Sequence, residues 1–423
     1  MYHFIYPDKD SYLDGNPLNS ENNYGGDDKL ILKKEFEGSS HSSASLKSVT
    51  RIILGFNTAD IEPLLEGNGG SIPSSLNGSY HHIWQPGYSE QTYRTKAYLR
   101  LYSSKTFDLN PEYKILFSRL DTVSSSWAEG TGTSESDPNP RDGVSWKHPD
   151  QRFDDGDFSN WRGFEAGSPG SGVWDLTTTT SSFAYNDSRN ADSWEQGGGR
   201  RDLNPYSITS QSFSYESPNI NVEFGHVFNK LNLGQRTDQG VLIMFSGSYE
   251  VDNTPGHIEF HSRHTDNVIY APKIELRWDD HLPATGSNTG SLTELNVDGT
   301  VDNYLYMSNL RNVYRENETP KFRVGGRQRY RTKSASTIKS LSSTKYVPEG
   351  SGSYSIIDVE TGETLIPFSD SYTLLSCDSK SSYFKQRLDG FINNRMYRIR
   401  LKLKTDDNQS LIFDDGWDFK VIK

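Results

Sequence analysis

The sequence predicts an all-β protein built from two domains. Apolar residues make up only 33% of the 423 positions, yet aromatic residues reach 12%, with 24 tyrosines and 20 phenylalanines. Aromatic and β-branched side chains suit the half-buried surface of a pleated sheet. The 36 glycines interrupt the chain every few residues, which is typical of short strands joined by many turns. The length exceeds what one ordinary hydrophobic core accommodates.

Apolar segments with a period of two residues predict the strands of an N-terminal domain that spans residues 1–285. Gly240–Phe245 is apolar throughout and predicts a strand buried on both faces. The other predicted strands cover Lys29–Lys33, Val49–Phe56, Ala97–Tyr102, Lys114–Leu120, Ile258–His261 and Lys273–Trp278. Asp279–Ser291 is rich in Gly, Pro and Ser and is expected to be the linker to the next domain.

Residues 286–423 form the predicted C-terminal domain, whose size fits an immunoglobulin-like β-sandwich. Its clearest strand is Tyr397–Lys404, in which apolar residues alternate with cations over eight positions. Asp414-Asp415-Gly416 is expected to be a turn between two further strands, Ser410–Phe413 and Trp417–Val421.

The charge is unevenly distributed along the chain. The net charge is −12, but residues 286–423 carry 20 Lys and Arg against 17 Asp and Glu, whereas residues 1–285 carry 24 against 39. An acidic body with a slightly basic C-terminal part fits a protein with one more basic contact surface. This distribution speaks against a general nucleic-acid binder, so nucleic acid is not an expected partner.

Two runs of cations in the C-terminal domain are candidate partner interfaces. The first run occupies only odd positions around the Gly325-Gly326 bend, so its members share one face of a strand, with no acid among them. This first run consists of Lys321, Arg323, Arg327, Arg329, Arg331 and Lys333. The second run consists of Arg398, Arg400 and Lys402, followed by Lys404. Such faces bind acidic neighbours, or they are solvated edge strands whose charges discourage unwanted pairing; both interpretations stay open.

Motifs that carry chemistry are missing from the sequence. It contains no nucleophile elbow, phosphate loop, dinucleotide fingerprint or zinc-ligand spacing. We therefore expect no enzymatic activity and no cofactor. Asp154, Asp155 and Asp157 are a weak candidate for calcium, because hard cations take several oxygen ligands, but the full twelve-residue loop pattern is missing.

Tryptophans concentrate in a stretch that lacks clear strands, residues 122–206. Four of them are candidates for contacts with glycans: Trp127, Trp146, Trp161 and Trp174. They either anchor long insertions onto the sandwich or offer exposed ring faces to sugars, and anchoring is the favoured interpretation. Exposed faces would instead fit a carbohydrate-binding adhesin or receptor-binding module on a virion or cell surface, with a host surface glycan as its ligand.

Several segments between residues 10 and 280 resemble, in their order, the DNRLRE-type domains, which are related to carbohydrate-binding modules. The segments are Asp10–Leu13, Asn22–Leu30, Thr50–Phe56, Ala97–Tyr102, Trp127–Gly130, Val144–Lys147, Phe260–His264 and Ala271–Leu276. The resemblance implies a jelly-roll-like β-sandwich with long insertions. The chain departs from the pattern at His264, where the family has an acidic residue, and it lacks the family's name-giving hexapeptide.

The chain also resembles virion structural proteins of tailed phages, because it has an appended C-terminal β-domain and no expected export signal. Met1–Asp8 has neither a basic nor an apolar leader region, no run of about 18 apolar residues predicts a membrane span, and Cys377 is the only cysteine. The resemblance implies a neck, tail or baseplate component assembled in the host cytoplasm. Its expected partners are other virion proteins in a multi-copy ring or fibre-attachment assembly, itself homo-oligomeric, with no membrane.

Overall fold

The computed structural model describes most of the chain, and its regular structure is β. The described residues are 1–16, 18–37, 45–57, 95–120, 127–136, 140, 142–151, 198, 208–224, 240–246, 250, 255–299, 301–330 and 344–423. They contain 21 strands and two short 3-10 turns, Val268–Tyr270 and Gly286–Thr289. The all-β prediction is confirmed. Within these residues, no helix has the length and apolar character that a membrane crossing requires.

The chain divides into two compact units. The N-terminal unit comprises the described residues from Ile5 to Glu275, and the C-terminal unit comprises Leu276 to Lys423 together with Met1–Phe4. The boundary therefore lies earlier than position 285, and the first four residues belong to the second unit. No local sequence pattern indicates this assignment, because it depends on contacts between the two ends of the chain.

Two sheets are formed by the strands within residues 2–278. These strands are β1 (Tyr2–Ile5), β2 (Lys9–Asp14), β3 (Lys29–Glu37), β4 (Ser45–Gly55), β5 (Thr95–Leu101), β6 (Ser103–Phe107), β7 (Glu112–Arg119), β8 (Ile208–Ser214), β9 (Ile220–Glu223), β10 (Val241–Phe245), β11 (Gly256–His261) and β12 (Lys273–Trp278). Most of β1 and the end of β12 belong to the C-terminal unit, and the other strands belong to the N-terminal unit. The smaller sheet has the order β1-β12-β5-β9. The larger has the order β6-β11-β3-β4-β10-β7-β8, with β2 also paired to β4.

Strand β10 is the centre of the larger sheet. It pairs antiparallel with β4 on one side and β7 on the other, and all five of its side chains are buried. A strand covered on both faces needs a continuous apolar sequence rather than an alternating one. The prediction that this segment is buried on both faces is confirmed.

The C-terminal unit is a sandwich of two further sheets. Its strands are β13 (Asn303–Met307), β14 (Val313–Arg315), β15 (Lys321–Gln328), β16 (Gly352–Asp358), β17 (Thr364–Ile366), β18 (Ser376–Cys377), β19 (Ser382–Lys385), β20 (Met396–Lys404) and β21 (Ser410–Ile422). The sheet orders are β13-β15-β19-β18 and β14-β21-β20-β16-β17. Aromatic rings fill the space between the sheets: Phe322 of β15 lies 5.5 Å from Phe419 of β21, and Phe384 of β19 stacks on Tyr354 of β16 at 3.9 Å.

Strand β20 alternates as predicted, with its apolar residues in the core and its cations on the outer face of the five-stranded sheet. Its partner β21 differs from the prediction. Asp414-Asp415-Gly416 is not a turn between two strands but a bulge within one strand of 13 residues. The register jumps there, because Ile399 faces Trp417 whereas Leu401 faces Phe413. An Asp-Asp-Gly sequence permits either outcome, and pairing along the whole of β20 decides it.

The predicted linker is part of the C-terminal unit. The Leu282 amide donates to Ser376 Oγ at 3.0 Å, and the Leu282 carbonyl accepts from the Cys377 amide at 3.1 Å. The Ala284 amide donates to Glu349, and the Ala284 side chain is buried. Because these backbone groups are hydrogen-bonded to the sandwich, the segment is docked rather than extended between domains.

Candidate functional site

The first predicted basic surface begins on strand β15. Lys321 and Arg323 project outward, because the residues that alternate with them are buried. The strand ends at Gln328, and Arg329 follows in a bend. Two members of the run lie outside the described residues, Arg331 and Lys333.

Asp378 neutralises the first two cations of this surface. Arg323 donates to both carboxylate oxygens of Asp378, at 3.0 and 3.1 Å, and Lys321 Nζ donates to one of them. Burial alone would raise the pKa of Asp378, but the hydrogen bonds from Arg323 and Lys321 hold it well below its ordinary value. The sequence pattern excluded acids inside the run but could not locate an acid 55 residues beyond Arg323.

The other two described cations of the run gather around Tyr304 on strand β13. The guanidinium groups of Arg327 and Arg329 lie 4.8 and 5.8 Å from the centroid of the Tyr304 ring. Arg329 Nε is also 3.7 Å from Asp302, although both side chains are about half exposed. The Tyr304 hydroxyl donates to Asp415 Oδ2 at 2.6 Å, and this hydrogen bond raises the Tyr304 pKa.

The second predicted basic surface is the outer face of strand β20. Arg398 donates to both carboxylate oxygens of Asp418, its cross-strand neighbour, at 2.7 and 3.0 Å. Lys402 Nζ lies 3.8 Å from Asp370 Oδ1, and Lys404 donates to the same carboxylate. These contacts make a mixed-charge face rather than a uniformly positive one.

Arg400 stands between these paired cations and has no carboxylate partner among the described residues. Its Nη2 is 3.2 Å from Ser355 Oγ and 3.4 Å from Thr364 Oγ1, and its Nε is buried without a hydrogen-bond acceptor. The Phe368 ring lies 5.8 Å from the guanidinium carbon. The role of both basic surfaces in binding a partner stays a prediction.

The candidate glycan-binding tryptophans divide into two groups. Trp127 and Trp146 are 2% and 1% exposed and lie in the core of the N-terminal unit with Val144 and Leu242. A buried indole has no face to offer a sugar ring, so neither residue serves as the exposed platform that glycan binding requires. Trp161 and Trp174 lie outside the described residues, as do the calcium candidates Asp154, Asp155 and Asp157.

A polar cluster that sequence spacing did not reveal lies beside Trp127. Asp10 on β2, Glu129 and His264 each place one potential ligand atom within 4.8 Å of the others. The Arg263 amide donates to Asp10 Oδ2 at 2.7 Å, and Glu129 Oε1 accepts from the Asp10 amide at 2.8 Å. These residues come from three of the segments that carry the family resemblance, which was the one signal in the sequence that linked them.

Asn23 fixes the loop that presents Glu129. Its side-chain amide donates to the carbonyls of Glu129 and Val144, both at 2.7 Å, and its side-chain oxygen accepts from the Gly132 amide at 2.8 Å. A Cβ on Gly132 would lie 2.2 Å from the Asn23 carbonyl oxygen, so only glycine fits there. The Asn-Tyr-Gly segment, which carries part of the resemblance, therefore holds the Glu129 loop in place.

The carboxyl groups of the cluster are unusually basic. Burial, with a further contribution from the charge of Glu129, raises the pKa of Asp10 to about 7, against the opposing hydrogen bond from the Arg263 amide. Burial also raises the pKa of Glu129. Two carboxylates and one imidazole are suitable ligands for a divalent cation. Arg263 Nε lies 3.5 Å from Glu129 Oε1, however, and this guanidinium already supplies positive charge. The arrangement is that of a structural ion-pair network.

No protein-family model matches the chain, and no curated protein matches it. Among solved structures, it is similar to the adhesin domain of Epf from Streptococcus pyogenes, at 10% identity over 99% of this chain and 98% of the other, with a TM-score of 0.15. A TM-score this low carries no argument about fold or function.

Proposed function

We propose that this protein is a structural component of a tailed-phage virion, located in the neck, tail or baseplate, and that it acts through protein–protein contact surfaces. The observation that carries the contact role is the outer face of the five-stranded sheet in the C-terminal unit. There, exposed apolar side chains lie among arginines and lysines: Ile412 is 58% exposed, Met396 46% and Val313 45%. Methionine, arginine and apolar groups are enriched in the centres of protein interfaces.

The N-terminal unit, in this proposal, is a DNRLRE-type sandwich. This proposal is supported by hydrogen bonds that join four separate segments of the resemblance. The residues that make them are Asp10, Asn23, Glu129 and Arg263. The placement in a virion rests on the resemblance to virion structural proteins of tailed phages.

Peptide mass spectrometry of purified virions tests the placement. We expect the chain to remain with density-purified particles after a high-salt wash and to occupy a ring or fibre attachment in a map of the particle. Host proteins of similar abundance in the lysate are the control for carry-over. If the chain is lost from washed particles, the virion proposal is wrong.

Substitution of Ile412 tests the proposed contact face. We expect Ile412→Asp to change the free energy of unfolding by no more than about 0.5 kcal/mol, because the side chain is exposed. The same change buries a charge in the contact and should sharply reduce incorporation into particles. Leu18→Asp, at a residue that is 90% exposed in the N-terminal unit, is the matched control. Equal incorporation of both variants would contradict the proposed face.

A further inference from the structure

We propose that Arg400 and the groups around it form a receptor for one carboxylate, an Asp or Glu side chain of a partner protein. The site lies on the outer face of β20. The proposal rests on the assembly role proposed above, because another protein of the assembly would supply the carboxylate. Arginine suits this role because its planar fork binds both oxygens of a carboxylate.

The surroundings of Arg400 are polar but uncharged. Ser355 faces Arg400 across the pair of strands β16 and β20, and its hydroxyl is 3.2 Å from Nη2. The Thr364 hydroxyl reaches the same nitrogen from β17, and Phe368 borders the guanidinium. Hydroxyl groups accept hydrogen bonds from Arg400 but do not neutralise its charge, and no carboxylate of the described residues does so. The guanidinium is therefore able to bind an anion.

The bulge in β21 explains why neither acid opposite Arg400 pairs with it. Three residues, Asp414 to Gly416, stand opposite the single position of Arg400. Asp414 lies 3.7 Å from Arg398 Nε, and Asp415 accepts a hydrogen bond from the Tyr304 hydroxyl at 2.6 Å. Both acids opposite Arg400 are thus directed to other partners.

The neighbours of Arg400 on the same strand show the contrast. Arg398 is held by both oxygens of Asp418, and Lys402 and Lys404 share Asp370. Arg327 also has no carboxylate among the described residues, but its guanidinium lies over the Tyr304 ring. At Arg400, a guanidinium, two hydroxyl groups and an aromatic ring come together with no acid from the part of the chain that the structure describes.

The acids around the site select a single carboxylate over a nucleic-acid backbone. Asp370, Asp414 and Asp418 lie on the two sides of Arg400 and balance the flanking cations. A chain of phosphates running over this face would meet these acids and be repelled. A single carboxylate would meet only the charge of Arg400, which no described acid neutralises. The segment that carries this carboxylate would contact Ile412 through its apolar residues. The charge complementarity therefore favours an acidic protein segment.

Arginine footprinting on the intact chain tests the proposal. Phenylglyoxal modifies accessible arginines, and peptide mass spectrometry gives the rate at each position. We expect capped tetraglutamate to slow modification of Arg400 by at least about threefold, as a bound carboxylate would. Arg398, already paired, is the internal control and should be unaffected, and capped tetraglutamine should protect neither. No protection of Arg400 beyond that of Arg398 overturns the proposal, and so does equal protection by a short oligodeoxythymidylate.

Binding of fluorescent tetraglutamate to variants gives a second, independent measurement. Arg400→Gln should weaken binding by about tenfold, and Arg400→Lys, which keeps the charge but loses the fork, should fall between. Arg329→Gln removes the same charge from the bend that follows β15 and should have little effect. Equal losses in Arg400→Gln and Arg329→Gln would show non-specific attraction and overturn the proposal. Absence of the chain from virions would overturn the proposed function, whereas these peptide measurements would stand by themselves.

Discussion

At the scale of single residues, Asp378 ties two cations of the C-terminal unit to one carboxylate. Its pKa is lowered in the folded protein, so its stabilisation is fully present above the pKa of an unfolded Asp, about 3.9, and is lost as the pH falls below it. We expect Asp378→Asn to lower the free energy of unfolding by about 1.5 to 3 kcal/mol at neutral pH. Denaturant titrations at a series of pH values measure the difference, which should shrink under acid conditions.

The exposed pair of Arg329 and Asp302 supplies the control for that measurement. Both side chains are about half exposed and their closest atoms are 3.7 Å apart. Exposed ion pairs of this kind contribute little to stability because water screens them. Asp302→Asn should therefore leave the unfolding curve nearly unchanged, and a loss as large as that of Asp378→Asn would contradict the importance given to Asp378.

Asp10 predicts the opposite dependence on pH. Its pKa is raised to about 7, so the folded state binds a proton that the unfolded state has already released between pH 4 and 7. Wild-type stability should therefore fall as the pH rises through this window, by at most about 1.4 kcal/mol per pH unit. We expect Asp10→Asn to lack that loss, so its stability relative to wild type should increase with pH.

Thermal unfolding of both proteins across this window measures the effect. Asp8→Asn, which removes an exposed carboxylate just before strand β2, is the control for the change in net charge. If the stabilities of wild type and Asp10→Asn stay parallel at all pH values, the buried carboxyl of Asp10 does not titrate as we expect.

At the scale of elements, the sequence predicts a strand well where the burial of its side chains follows one regular pattern along its length. Strand β20 alternates apolar residues with cations over its whole length, because its inner residues fill the sandwich. This alternation is what made the strand predictable from the sequence. In β21 the residues Asp414 to Gly416 have the composition of a turn, so the bulge could not be predicted. Its existence depends on hydrogen bonds to β20, which no local pattern contains. For the same reason the sequence could not show that Arg400 has no carboxylate partner among the described residues.

Two glycines of the C-terminal unit should respond differently to alanine. Gly416 has a φ of +71° with open space around its Cβ position, so Gly416→Ala should cost about 1 kcal/mol of backbone strain. A Cβ on Gly390 would lie 2.7 Å from the backbone nitrogen and oxygen of Phe4, so Gly390→Ala must displace main chain and should cost more, up to about 3 kcal/mol. Calorimetric unfolding temperatures of the two variants give the order. The reverse order would contradict the packing of Phe4 on Gly390.

At the scale of the whole molecule, the sequence predicts two β units but not which residues belong to each. The acids that neutralise the cationic runs, such as Asp378, lie tens of residues away, and their positions depend on the fold alone. The same holds for Met1–Phe4, which belong to the C-terminal unit. Gln386 Nε2 donates to the Tyr2 carbonyl at 2.6 Å, and the Phe4 ring packs edge-on against Phe391 at 6.0 Å.

Truncation of the Phe4 side chain tests this assignment. Phe4 is 2% exposed, so Phe4→Ala should destabilise the unit that contains it by about 3 to 5 kcal/mol. We expect faster hydrogen exchange in the segment around Phe391 and Tyr397, measured by mass spectrometry of the peptides. Phe56→Ala removes a ring that is 3% exposed in the N-terminal unit and is the matched control. Unchanged exchange near Phe391 in Phe4→Ala would contradict the assignment.

The position of Tyr2–Phe4 also determines the order in which the protein can mature during translation. Their partners at Gln386 and Phe391 are synthesised more than 380 positions later. A contact this distant in sequence closes slowly, because a long loop must first be brought together. These contacts therefore form only after Phe391 has left the ribosome. Until then the Phe4 ring cannot pack on Phe391, and chaperones that shield apolar side chains should raise the yield of folded protein.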